Sequence, residues 1–242
     1  MIIKRDDAFR VVGELVNPTG PLGTCMFVGV PINDDKITGW IVTASHVAAL
    51  TNENTQIIIS QDDRIAKKAP LITFGPPDRW AHHLEGDISV LNIVFTEENE
   101  KLLSGRLFPY DHFNLERTPV SRDIELTSIG FPNGLGADGY FSPFTFRSHA
   151  SSGFVTLPRA DTRTQSVFFC LENPSVGGYS GCPVFDLGYS FDGTMLTSRE
   201  ATRCYGIMHG TMIDNTGGKI AMVTPSFYLK DIIDRLLFNT EQ

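Results

Sequence analysis

Ser180 lies in the stretch Gly177-Gly178-Tyr179-Ser180-Gly181-Cys182-Pro183, a serine between glycines with an apolar strand starting at Val184. A hydroxyl is a poor nucleophile until a base removes its proton and donors receive the negative charge that develops. The glycines allow a tight turn that aims the N–H groups of Gly178 and Ser180 at one spot and lets a substrate backbone approach. A candidate base is His46, which follows the apolar run Ile41-Val42-Thr43-Ala44-Ser45. A candidate carboxylate to orient it is Asp87, which heads the apolar run Ile88 to Val94. Each feature alone has an ordinary reading. Gly/Ser/Pro clusters are usually turns, and acids before strands usually cap them. Together, in this order, they describe acyl transfer through a covalent intermediate.

The three stretches also carry a family resemblance. Gly-x-Ser-Gly-x-Pro resembles the nucleophile loop of trypsin-like (chymotrypsin-fold) serine proteases. Ile41-Val42-Thr43-Ala44-Ser45-His46-Val47 resembles their base-bearing block, and Asp87 resembles the acid that orients the base. The order His46, Asp87, Ser180, with separations of 41 and 93 residues, is theirs and not that of α/β-hydrolases. Cys182 also stands where the hydrolase motif Gly-x-Ser-x-Gly needs its last glycine. Ile129-Gly130-Phe131-Pro132, Gly153-Phe154-Val155 and Ala221-Met222-Val223-Thr224-Pro225 with its following helix are most similar to the HtrA/Deg branch and related bacterial peptidases, without the PDZ domain common there.

The resemblance implies an all-β chain of two antiparallel six-stranded β-barrels with a C-terminal helix. Residues 1–115 would form the first barrel, carrying His46 and Asp87. Residues 116–242 would form the second, carrying Ser180. It also implies an oxyanion hole from the Gly178 and Ser180 N–H groups. Two departures matter. Tyr179 occupies the position where secreted relatives have an Asp that pairs with a processed N-terminus, and no Arg-Ile-Val-Gly-Gly-like start is present. Other contacts must therefore hold the nucleophile loop. Two resting states are open, a formed hole or a flipped Gly177–Gly178 peptide, and the lack of any other visible restraint favours the flipped one. For substrate binding the resemblance points to Pro174, Ser175, Met208, His209, Gly210 and Thr211. Pro174 gives no support for Lys or Arg preference, and Met208 is a better pocket wall than His209, which lies one residue out of register.

Around these residues the chain reads as many short strands. Phe9–Leu15, Gly23–Val30 and Ile37–Thr43 come first, the last two forming a hairpin around the polar turn Asn33-Asp34-Asp35-Lys36. Gln56–Ser60, Pro70–Phe74 and the run after Asp87 follow. Glu97–Leu103 reads as a helical turn. After a polar stretch from Pro109 to Arg122, the strands Ile124–Gly130, Ser152–Leu157, Ser166–Leu171, Val184–Phe185, Cys204–Gly210 and Lys219–Val223 complete the chain. Leu229, Ile232, Ile233, Leu236 and Leu237 make one face of an amphipathic helix, with Ser226 able to cap it.

Composition excludes several classes. The 242 residues carry a net charge of −8 and no basic cluster longer than Lys67-Lys68, so a nucleic-acid surface is not expected. No apolar run approaches the roughly 20 residues of a membrane span. The start Met1-Ile2-Ile3-Lys4-Arg5 does not read as a secretory signal. Four scattered cysteines read as reduced thiols, and the expected location is cytoplasmic. His82-His83 lacks partners at metal-ligand spacing, so neither metal nor cofactor is expected. The expected function is a serine endopeptidase acting on polypeptides, with a regulatory protein as a further partner. A catalytically silent protease-fold scaffold and an acyl hydrolase with the same triad are the alternatives.

Overall fold

A computed structural model describes residues 2–33, 36–61, 65–191, 194–198, 201–213 and 215–237. Asp34 and Asp35, in the expected hairpin turn, lie outside them. The first sheet contains β1 (Val12–Asn17), β2 (Gly20–Asn33), β3 (Lys36–Thr43), β4 (Gln56–Gln61), β5 (Ile65–Pro70), β6 (Ala81–His82), β7 (Ser89–Asn92) and β8 (Phe108–Pro109). Its order is β5-β4-β1-β2-β3-β7-β6, all antiparallel, with β8 pairing parallel to β2. The second half runs β9 (Leu126–Gly130), β10 (Phe144–Ser148), β11 (Val155–Pro158), β12 (Gln165–Leu171), β13 (Pro183–Asp186), β14 (Tyr189–Phe191), β15 (Leu196–Ser198), β16 (Arg203–Ile213) and β17 (Lys219–Pro225). Here the order is β10-β9-β13-β16-β17-β12-β11, and β14 and β15 form a separate hairpin. The helices are α1 (Arg5–Ala8), α2 (Ser45–Ala48), α3 (Glu97–Leu103) and α4 (Phe227–Leu237).

The chain is mostly β, in two antiparallel sheets with a C-terminal helix. The strand counts differ from six and six. The first sheet has eight because the two-residue strands β6 and β8 join it, and the second has seven. Two expected strands are displaced. Phe9–Val11 is a 3₁₀ turn that leads into β1, and Leu71–Thr73 is a 3₁₀ turn that follows β5. Ser226 does not cap α4 with its hydroxyl, which donates to Asn114 O at 2.5 Å.

The strands are apolar on both faces because each sheet is covered twice. Successive side chains on a strand point to opposite sides. On β2, Met26 and Val28 enter a core shared with the second sheet, whereas Cys25 and Phe27 fill the first sheet's own interior. On β3, Trp40 and Val42 face the shared core and Ile41 the private one; Val90 and Leu91 on β7 divide likewise. The second sheet repeats the arrangement. Phe185 and Ile207 join the shared core, while Val184 and Met208 pack internally. The shared core also receives Leu229, Ile232 and Ile233 of α4, on the face expected from their spacing, with Leu236 and Leu237 partly buried against it, and it takes in Phe227 as well. All four cysteines are buried and free, with no Cys182–Cys204 bridge.

Candidate active site

His46 sits where β3 ends. Ala44 takes an extended conformation and the chain turns into α2, burying Ser45, Val47 and Ala48 but leaving the His46 side chain 26 % exposed. Asp87, fully buried, stands just ahead of β7. Its approach is fixed from behind. The His83 Nδ1 accepts the N–H groups of Glu85 and Gly86, and Gly86 lies so close to Tyr228 of α4 that a Cβ there would come within 2.6 Å of the ring.

Asp87 takes four hydrogen bonds. Its Oδ2 accepts from His46 Nδ1 at 2.7 Å and from His209 Nδ1 at 2.5 Å. Its Oδ1 accepts from the His46 backbone N–H at 3.1 Å and from Arg159 Nη2 at 3.2 Å. Burial alone would raise the carboxyl pKa. The hydrogen bonds from His209 and then His46 outweigh it and hold Asp87 well below the usual carboxylate range. Asp87 is therefore an anion aimed at the Nδ1 side of His46.

The Ser180 loop is docked on the first sheet through Thr24. The Thr24 N–H donates to Ser180 O at 2.8 Å, and its hydroxyl donates to Gly178 O at 2.9 Å while accepting the Phe131 N–H. At Gly181, with φ +85°, a Cβ would fall 2.1 Å from Thr24 O, so only glycine permits this approach. From the other side Tyr179 is fully buried and stacks on Phe146 with ring centres 4.9 Å apart. These are the contacts that stand in for an Asp–ammonium pair.

The turn ahead of Ser180 is closed by Tyr179 N–H to Val176 O. Gly178, its third residue, has φ +91°, as a type II turn requires there. The Gly177 carbonyl accepts the Asn133 N–H at 2.7 Å. A flipped Gly177–Gly178 peptide would instead return that carbonyl toward the Ser180 N–H three residues on. Among the described residues neither the Gly178 nor the Ser180 N–H has an acceptor, and the resting loop is not in the flipped form expected from the lack of other restraint. The Ser180 hydroxyl donates to His209 O at 3.1 Å, and no hydrogen bond joins it to His46.

The substrate-binding candidates separate. Pro174, Ser175 and Met208 line a cavity of about 10 Å³ beside the loop, with Phe146, Leu171 and Tyr179. Thr211 donates its hydroxyl to Ser175 O. Gly210 follows a register shift in the β16–β17 pairing. His209 is a correction: it is 3 % exposed and its Nδ1 is hydrogen-bonded to Asp87 instead of open to a substrate. Cys182 is buried, and burial pushes its thiol well above the ordinary range, which leaves it inert packing.

His46, Asp87 and His209 place three ligand-type atoms within 4.8 Å of one another. Both imidazole Nδ1 atoms are engaged as donors to the carboxylate, however, and His209 Nε2 already accepts the Ala160 N–H at 3.2 Å. A metal held through both Nδ1 atoms would have to displace both of those protons, so the donor set as bonded suits hydrogen bonding. Arg159, Thr24, Asn133 and the inward role of His209 are absent from any local motif. Each acts across 72 to 154 residues of chain or through its backbone.

Two facing antiparallel sheets with a His–Asp pair on one and a Gly-flanked serine on the other define a peptidase fold of the chymotrypsin kind. Residues 23–190 match the trypsin-like peptidase domain, and the chain belongs to that family. The fold is similar to that of the MamO protease domain from Magnetospirillum magneticum, with a TM-score of 0.59 at 14 % identity over 93 % of this chain and 96 % of that one. It is also similar to Rv3671c from M. tuberculosis. Its inactive serine-to-alanine form gives a TM-score of 0.57 at 14 % identity over 97 % and 90 % of the chains. Its active form gives 0.57 at 15 % over 97 % and 83 %. Among curated proteins, none matches the chain by sequence.

Proposed function

We propose that the protein is a serine endopeptidase that cuts polypeptides through a Ser180–His46–Asp87 triad. The observation that carries this reading is the 2.7 Å hydrogen bond from His46 Nδ1 to a buried, four-fold-donated Asp87, which leaves His46 Nε2 without a hydrogen-bond partner among the described residues. In the family's mechanism Nε2 takes the Ser180 proton as Oγ attacks the scissile carbonyl and later returns it to the leaving amine. Asp87 holds the Nδ1–H tautomer and stabilises the imidazolium. The unpartnered Gly178 and Ser180 N–H groups are the proposed oxyanion donors, each worth ~3–4 kcal/mol of barrier. Ser180 must first turn its hydroxyl from His209 O to His46.

The small cavity beside the loop is lined mainly by apolar groups and has room for about one water. It supports a preference for small apolar side chains ahead of the cut. Four buried free thiols support a reducing, cytoplasmic location, and among the described residues no helix is long and apolar enough to cross a membrane. A regulatory protein remains the proposed source of restraint.

The test is covalent labelling by a fluorophosphonate, read by mass spectrometry. An adduct on Ser180, absent from Ser180→Ala, is expected; peptidyl phosphonates ending in Ala or Val should react faster than those ending in Lys or Phe. A folded protein that takes no label sinks the enzyme reading. It would favour a second one, a catalytically silent scaffold, for which the hydrogen bond between Ser180 Oγ and His209 O is the supporting observation.

A further inference from the structure

Asp87 belongs to the first sheet, yet two of its four donors come from the second. Arg159 lies just past β11, in the turn closed by Arg159 N–H to Thr164 O and Arg163 N–H to Arg159 O. Its side chain is 5 % exposed, and burying a guanidinium is costly unless its donors are met. Here all five N–H groups have acceptors. Nη1 donates to Gly86 O at 3.1 Å and Glu85 O at 3.3 Å. Nη2 donates to Asp87 Oδ1 at 3.2 Å and Asp161 Oδ2 at 2.6 Å, and Nε donates to Asp161 Oδ1 at 3.0 Å. The rigid fork thus grips both the Asp87 carboxylate and the two carbonyls that precede it.

The same turn reaches Asp87 a second way. The Ala160 N–H donates to His209 Nε2, which makes that nitrogen an acceptor and places the ring proton on Nδ1. Nδ1–H then points at Asp87 Oδ2, the oxygen that also serves His46. Phe168 closes the far face of the His209 ring, with centroids 5.0 Å apart. With Oδ1 held by Arg159 and Oδ2 by His209, the carboxylate has no other rotamer in which it keeps its donors.

We propose that Arg159 and His209 are positioning residues for the base: they fix the carboxylate plane so that Oδ2 faces His46 Nδ1, and the aim of His46 is set from the second sheet. This rests on the triad reading above. Neither side chain touches substrate or the reacting atoms; the contact of His209 with the Ser180 hydroxyl is through its backbone carbonyl.

The test combines imidazole N–H proton NMR on ¹⁵N-histidine-labelled protein with the rate of Ser180 labelling. The wild type should show two far-downfield Nδ1–H signals, one lost in His46→Ala and the other in His209→Asn. In Arg159→Gln and His209→Phe the His46 signal should move upfield and exchange faster. Labelling at saturating probe should slow on the order of 10²-fold, the scale of a misplaced catalytic group, with half-saturation unchanged. His209→Asn, which keeps a donor near the Nδ1 position, should stay within about threefold of wild type. An unchanged His46 signal in Arg159→Gln overturns the proposal, even if labelling falls, because the residue is then merely structural. Arg159→Gln carries this arm should His209→Phe fail to fold. A shifted His46 signal in a protein that never labels would uphold the positioning role while ending the peptidase reading.

Discussion

Asp87 and Glu14 are both buried carboxylates of the first sheet, 0 % and 3 % exposed, and their surroundings push them in opposite directions. Asp87 meets four donors and is held well below the ordinary range despite its burial. Glu14, on β1, has no hydrogen bond to its carboxylate among the described residues. Desolvation pushes it up to about 7, against a weaker downward pull from Lys68. Burial penalises charge at both places, so donors decide which carboxylate is an anion. A buried acid can serve a base as its counter-ion only where the fold has already supplied those donors.

The largest effect that can break this comparison is on turnover. Asp87→Asn should lower the Ser180 labelling rate on the order of 10⁴-fold, the scale of the same exchange in chymotrypsin-like enzymes, while the protein stays folded. Glu14→Gln should leave the rate within about twofold, since among the described residues the Glu14 side chain has no hydrogen bond to His46, Asp87 or Ser180. A comparable loss from both variants would mean that buried charge in general, and not the aim of Asp87, supports labelling.

How stability changes with pH sharpens the contrast, because the two groups act with opposite sign. Glu14 binds its proton more tightly when folded. Its stabilising contribution is complete below the unfolded value of about 4.3, declines as pH rises toward about 7, and is gone beyond that. Glu14→Gln should flatten this decline in urea-unfolding midpoints between pH 5 and 8. Asp87 does the reverse: its contribution is present above the unfolded value of about 3.9 and is lost only as pH falls below that toward its depressed folded value. The stability gap between wild type and Asp87→Asn should close as the solution is acidified below pH ~4. A gap that persists undiminished at pH ~2 would show that Asp87 gains nothing from being charged.

The smallest effect concerns Lys68, whose charge is exposed. Lys68→Met should carry the Glu14 decline to slightly higher pH, and added salt should mimic it by screening the pair. No response to either would assign the Glu14 environment to desolvation alone.

What the chain's spelling reveals follows from how local each feature is. His46, Asp87 and Ser180 sit in stretches whose neighbours serve the same turn, so Gly-x-Ser-Gly, Ala-Ser-His-Val and Gly-Asp-Ile are readable without knowing the fold. The span of α3, Glu97–Leu103, is legible because Thr96 and Asn99 cap each other within three residues. Arg159 is not. It looks like a charge in a polar turn, and only the docking of the two sheets brings it against a residue 72 positions earlier. The Gly-Ile-Met-His spacing puts Met208 and His209 out of step, but nothing in it says that His209 meets Asp87. The runs on β2 and β3 hide their alternation because both faces are buried, and Glu14 lies between Gly13 and Leu15 with no mark of its unusual surroundings. A flipped resting peptide is what the residues alone suggest, because a restraint on activity can be argued for but not located; Asn133, which holds the Gly177 carbonyl, is remote in sequence.

Thr24 has a consequence for the order in which the protein is made. Its hydrogen bonds to Gly178 and Ser180 close a loop of more than 150 residues, and contacts so distant along the chain form late. β2 leaves the ribosome long before the Ser180 loop exists, and chains generally fold from the N-terminus as they emerge. The loop therefore acquires its native shape only after both halves have docked. A nascent or half-folded chain holds His46 and Asp87 with nothing for them to activate, and a chain truncated before Ser180 can never do harm. Under the peptidase reading, assembly itself guards the cell during synthesis.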